Sequence, residues 1–255
     1  MTWNTVQRWL WPASLLMTLL IIWELMVRWR ETPSWMLPPP TAIVEAFRTD
    51  WSMLMDNTWV TLVEVLLGFG LALVAGILIG VMIDSSLVIR RALYPLVIAS
   101  QTIPMVALAP LMLIWFGYGL LPKVLITALV GFFPLAVATV DGLGSADREM
   151  LALLRSMGAT ATQRARLVRI PAASPTIFSG ARVAITFCVI GAIFGELVGA
   201  SEGLGYLMTR SAAQFQTARL FACIVILAVM GISLFGIVSL MERIALPWRR
   251  VVVAN

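Results

Sequence analysis

Six long apolar runs constrain what this chain can fold into more than any other feature. They are Leu10–Val27, Leu62–Ile83, Leu93–Phe116, Val124–Val140, Ile177–Val198 and Leu220–Met241. A helix crossing the hydrocarbon layer of a bilayer covers about 30 Å, or roughly 20 residues, and each run is close to that length. Of the 255 residues, 60% are hydrophobic and 12% charged, whereas soluble domains are about a quarter charged. The expected fold class is all-α: a polytopic membrane protein with about six transmembrane helices, forming one membrane domain over 1–255. The first run lacks a small-x-small cleavage site and carries Trp23 and Glu24 near its far end, so it reads as an uncleaved anchor.

Charge sets the orientation. With the N-terminus in the cytoplasm, the inner side holds Arg8, Arg90, Arg91, Arg148, Arg155, Arg164, Arg166, Arg169, Arg182, Arg243, Arg249 and Arg250. The outer side holds Arg28, Arg30, Arg48, Lys123, Arg210 and Arg219, so the 18 basic residues split twelve to six. Positive charge is retained on the cytoplasmic side of membrane proteins, which puts both termini inside. Basic residues placed in short gaps between apolar runs do not form the solvated face that nucleic acid requires. There is no histidine, which removes imidazole metal sites and Ser-His-Asp triads. Cys188 and Cys223 lie inside apolar runs and read as small lipid- or core-facing residues.

Small residues mark the faces where helices can approach, because lipid tails remove the hydrophobic drive for helix association. Gly68, Ala72, Gly76 and Gly80 recur every fourth residue in the second run, and Gly191, Gly195 and Gly199 do so near the end of the fifth. The third run carries Pro95, Pro104 and Pro110. Each proline removes a backbone donor, which is tolerated at membrane depth only where protein or a water-filled cavity satisfies the freed carbonyl. Gln101 and Thr102 add polar groups next to Pro104, so this kinked stretch is a candidate path lining. Glu24 and Glu64 lie near span ends, while Glu196 is deeper, where a carboxylate is by default a functional candidate. On the outer side, Thr41 is expected to cap a short helix whose Ile43, Val44 and Phe47 lie on the bilayer surface.

The loop between the fourth and fifth runs, residues 145–175, is neither apolar enough to span nor polar enough to be a plain loop. Ala146–Met157 reads as an amphipathic helix, with Met150, Leu151, Leu154 and Met157 at helical spacing. Gly158 suits a left-handed helix end. Thr160 or Thr162 can cap a second short helix carrying Arg164, Arg166 and Arg169, with Pro171 as its stop. Exposed apolar residues on such an element need a partner groove, and its arginines can also lie on anionic lipid.

These residues carry a resemblance. Residues 150–175 resemble the cytoplasmic coupling motif of the permease subunits of type I ATP-binding-cassette importers, Glu-Ala-Ala, three residues, Gly, nine residues, Ile-x-Leu-Pro. Gly158 matches the glycine, and Val168-Arg169-Ile170-Pro171 the end; Ala152-Leu153-Leu154 stands where Glu-Ala-Ala is expected. Leu37-Pro38-Pro39-Pro40, Trp115-Phe116-Gly117, Phe133-Pro134, Asp141-Gly142-Leu143 and Gly203-Leu204-Gly205-Tyr206 resemble one branch of these permeases. That branch serves nitrate, sulfonate, taurine, bicarbonate and, in some members, pyrimidine or riboflavin vitamin precursors. Gly117-Tyr118-Gly119, the run from Gly199 to Met208 and the closing Leu246-Pro247-Trp248 look closest to permeases for the hydroxymethylpyrimidine precursor of thiamine.

The resemblance implies a transport subunit rather than an enzyme. Ala152, Leu154, Arg155, Gly158, Ala159, Arg164, Val168, Ile170 and Pro171 would meet the ATPase. Gln101, Thr102, Pro104, Thr139 and Glu196 are the candidate lining of the translocation path. The chain has no G-x-x-x-x-G-K-[ST] phosphate loop, and Lys123 is its only lysine, so ATP and Mg would be bound by a partner. The implied partners are a cytosolic ATPase dimer, an extracytoplasmic substrate-binding protein and a second permease copy, in a bacterial inner membrane. The rival classes are an ion-gradient-driven carrier, for which one deep carboxylate is few, and an intramembrane enzyme, for which no convergent catalytic groups are present.

Overall fold

The computed structural model describes residues 3–247, the side chains of 3–9 excepted. The side chain of Arg8, and the whole of Trp248, Arg249 and Arg250, used above for orientation and for the closing motif, lie outside what is described. The described residues are helical, without strands. In chain order the helices are α1 (Trp3–Trp29), α2 (Pro40–Thr49), α3 (Trp51–Ser85), α4 (Leu87–Ser100), α5 (Met105–Phe116) and α6 (Leu120–Gly144). They continue with α7 (Arg148–Ser156), α8 (Ala161–Arg164), α9 (Ile170–Leu197), α10 (Leu204–Ala213) and α11 (Thr217–Ala245). Five helical stretches are long and apolar enough to cross a membrane, and the bent pair α4–α5 makes a sixth crossing when counted as one span.

The centre is α6, held between α3 and α9, and small residues decide how closely they pack. A Cβ at Gly68, Gly76 or Gly80 of α3 would fall 2.3–2.6 Å from Thr127, Leu135 or Thr139 of α6. One at Gly191 of α9 would fall 2.9 Å from the Thr127 backbone, and one at Gly180 2.4 Å from Ala138. The glycine faces are therefore the helix contacts, as expected where close van der Waals approach replaces a hydrophobic drive. Gly199 departs from that stripe. It lies beyond the end of α9 with φ +71°, where it turns the chain toward α10.

Three local expectations change. Thr41 does not cap α2, whose N-cap is Pro39. Instead Thr41 donates its amide and hydroxyl to the Glu24 carboxylate of α1, at 3.1 and 2.9 Å, so a residue from another helix neutralises that N-terminus. Ile43 and Phe47 turn into the protein core rather than onto the bilayer, leaving Val44 exposed; α2 spends its apolar face on α11. Pro171 does not stop a helix. Residues 165–169 widen into a π turn in which the Ile170 amide bonds the Ala165 carbonyl, and Pro171 then sits in the first turn of α9, where its missing N–H is harmless. α8, the π turn and α9 thus run on as one rod over Ala161–Leu197.

Candidate functional site

Two polar clusters and one break interrupt this apolar bundle. The first cluster surrounds Glu196, at the end of α9. Its Oε1 accepts from the Thr61 hydroxyl at 2.6 Å, and its Oε2 from the Gly205 amide at 2.5 Å. Thr61 Oγ1 in turn accepts from the Leu204 amide at 2.8 Å, and Asn57 Oδ1 from the Gly203 amide at 2.8 Å. Three consecutive amides at the start of α10, orphans of any helix N-terminus, are therefore capped by side chains from α3 and α9. The Glu64 carboxylate faces Glu196 and pairs with Lys123 Nζ at 2.7 Å. Glu64, Thr61 and Glu196 are all buried, so the cluster is closed to solvent, with one Glu64 oxygen left without a hydrogen-bond partner. Gly203 and Gly205 are required by closeness, because a Cβ there would fall 2.2 and 2.9 Å from Glu196 oxygens.

The break lies at Gln101–Pro104, where α4 and α5 meet at 98°. Pro104 cannot donate, and the Ser100 and Thr102 hydroxyls instead donate to the Val97 and Ala99 carbonyls at 2.6 and 2.7 Å. Gln101, Thr102 and Pro104 are exposed. Gln101 lines a cavity of about 410 Å³ with Pro134, Asp141, Thr176, Ser179 and Phe187. Of the other two expected path residues, Thr139 is buried at the α3–α6 seam, its hydroxyl donating to Leu135 O at 2.7 Å. Glu196 is the centre of the closed cluster.

At the opposite end of α9 lies the α7–α8 element. Asp147 caps α7 by accepting from the Glu149 amide at 2.8 Å, and Gly158 ends it with φ +78°. The Gly158 amide donates to Arg155 O and the Ala159 amide to Leu154 O, at 3.0 and 2.9 Å, the paired bonds of a Schellman ending. Thr160, rather than Thr162, opens α8 in a reciprocal capping box with Gln163. No residue of α7 is buried; Met150, Leu153 and Met157 are 51%, 60% and 73% exposed. Ala152, Arg155 and Ile170 are also exposed, while Leu154, Ala159, Arg164 and Pro171 are half-buried and Val168 is buried. Arg169 anchors the element through an ion pair with Asp84 of α3 and a bond to Leu143 O of α6.

Sequence reasoning missed the partners more than the principals. Thr61, Asn57, Lys123 and Asp84 lie far along the chain from the groups they hold, and α10 was read only as a Gly-x-Gly motif. Polar residues recurring at i, i+4 and i+7 on one face of an apolar helix, as Asn57, Thr61 and Glu64 do, are the signal that is present.

Comparison with known proteins adds family identity to this geometry. Residues 72–245 match the family described as "Binding-protein-dependent transport system inner membrane component". The chain is 40% identical to the formylaminopyrimidine transport permease ThiX of Halalkalibacterium halodurans, over 94% of this chain and 96% of that protein. It is 35% identical to the riboflavin transport system permease RibX of Chloroflexus aurantiacus, over 96% of this chain and 94% of that protein.

Among solved structures, the inward-facing methionine ABC transporter MetNI shares the fold, with TM-score 0.67 and 20% identity over 76% of this chain and 97% of that chain.

Proposed function

Because the chain belongs to the family of binding-protein-dependent transport system inner membrane components, we propose that it is the permease of an ATP-driven importer whose energy enters through the α7–α8 element. The observation that carries this reading is the uncovered apolar face of α7, joined through Gly158 to a rod that continues into the bundle. An amphipathic helix with no buried residue is suited to a partner groove. Force applied there reaches α9 through α8 and the π turn, and reaches α3 and α6 through Arg169.

On this reading both termini and α7 face the cytoplasm, where an ATPase dimer binds ATP and Mg and hydrolyses the nucleotide. A substrate-binding protein docks at the opposite face, and a second copy of the chain completes the path. Gln101, Thr102 and Pro104 line that path at the break, while Thr139 and Glu196 fix the helices around it. The substrate is a small pyrimidine of the thiamine-precursor kind, supported by the ThiX identity. The RibX identity supports riboflavin as the second reading.

Two experiments test this. Mild-detergent purification of the tagged chain should recover an ATPase, and ligand extracted from the co-purifying binding protein should be a pyrimidine. Recovery of the chain alone, with gradient-driven flux, would overturn the ATP-driven reading in favour of a carrier. Gly158→Ile should abolish ATPase retention and transport while leaving insertion intact, because a β-branched residue resists positive φ. Normal transport by that variant would remove the coupling role of the turn.

A further inference from the structure

The α7–α8 element has a second face. Arg148, Arg155, Arg164 and Arg169 line one groove of about 860 Å³ between this element and the ends of α4 and α6. Arg169 is paired with Asp84, but none of the ion pairs among the described residues includes Arg148, Arg155 or Arg164. Of the two acids flanking Arg148, Asp147 is turned to cap α7, and Glu149 takes part in none of these ion pairs. Ala152, Ala161 and Ala165 form part of the wall, so short side chains leave the space between guanidinium groups open. Leu87, 72% exposed at the start of α4, adds an apolar rim.

Helical geometry separates this groove from the exposed apolar face of α7, although its Ala152, Arg155 and Arg164 are also among the residues that the family resemblance assigns to the ATPase. Arg148, Leu151, Ala152 and Arg155 follow i, i+3, i+4, i+7 spacing and share the groove side. Met150, Leu153 and Met157 fall on the opposite side of the same helix. Several like charges in one groove repel, and a multivalent anion relieves that repulsion. Guanidinium forks match phosphate oxygens in particular, and the groove is far roomier than one carboxylate requires.

We infer that this arginine groove binds a phosphate group, supplied either by an anionic lipid headgroup or by a free phosphate, and braces α7–α8 against the membrane helices. The site does not depend on α7 meeting an ATPase. It is tested on the purified full chain with Arg155→Gln/Arg164→Gln, and with Arg166→Gln as a control outside the groove. Two probes are used: phosphatidylglycerol, followed by native mass spectrometry, and inorganic phosphate, followed by the thermal midpoint at constant ionic strength. Loss of charged hydrogen bonds should weaken the responsible ligand about tenfold in the double variant and leave the control unchanged. A groove-dependent loss of retained phosphatidylglycerol identifies the lipid source, and a lost phosphate-induced shift identifies the free anion. Equal responses of wild type, control and double variant to both probes would overturn the proposal. Since neither arginine has a partner to lose, the midpoint in chloride should be unchanged; the single Arg155→Gln variant repeats the test with half the perturbation.

Discussion

The two ends of α9 carry opposite solutions to the same problem of placing charge in an apolar protein. At one end Glu196, Thr61, Asn57 and the first amides of α10 satisfy one another in a buried site. At the other, three arginines have no carboxylate and line an open groove. The closed cluster satisfies itself apart from one Glu64 oxygen and holds structure; the open one is left for something outside the chain to answer. Burial makes the difference, because an unmatched polar group is costly in a dry interior and cheap where water reaches it.

The largest effect should come from breaking the closed end. Glu196→Ala leaves the buried Gly205 amide without its acceptor and the Thr61 hydroxyl with only the Asn57 carbonyl, costing about 3 kcal/mol. A lowered thermal midpoint and new protease cleavage near Gly199–Gly203 would report it. Unchanged values would mean that the cluster contributes little. Gly203→Ala against Gly158→Ala sharpens the contrast, since both glycines have positive φ. At Gly203 the added Cβ also meets Glu196, whereas at Gly158 nothing lies within 4 Å. The first should cost about 2–3 kcal/mol through overpacking on top of strain, the second only the strain, about 1–2 kcal/mol. Paired denaturation curves check this, and equal losses would refute the difference. Smallest is Arg155→Gln, expected to move stability by less than about 0.5 kcal/mol, read from the same melts; a larger loss would show a hidden intramolecular partner.

Much of this architecture was legible because it is local or periodic. Apolar runs gave the spans, four-residue glycine spacing gave the α3 face on α6, and Gly158 with Thr160 gave a turn and a cap. The misreadings share one cause. Thr41 looked like a cap until Glu24 took its amide, Ile43 looked lipid-facing until α11 covered it, and Pro171 looked like a stop until the π turn absorbed it. Each was altered by a neighbour or backbone adjustment that residue spacing alone does not specify.

The sequence by itself determined where membrane helices form, where the glycine turn lies and which residues carry charge, since hydrophobicity, backbone freedom and ionisation are properties of each residue and its near neighbours. The tertiary structure alone decided which charges are answered. Glu196 meets Thr61 across 135 positions of chain, while Arg155 and Arg164 meet no acid at all among the described residues. Hydrogen bonds act over a few ångströms, so only the packing of α3, α6 and α9 could distinguish the closed cluster from the open groove.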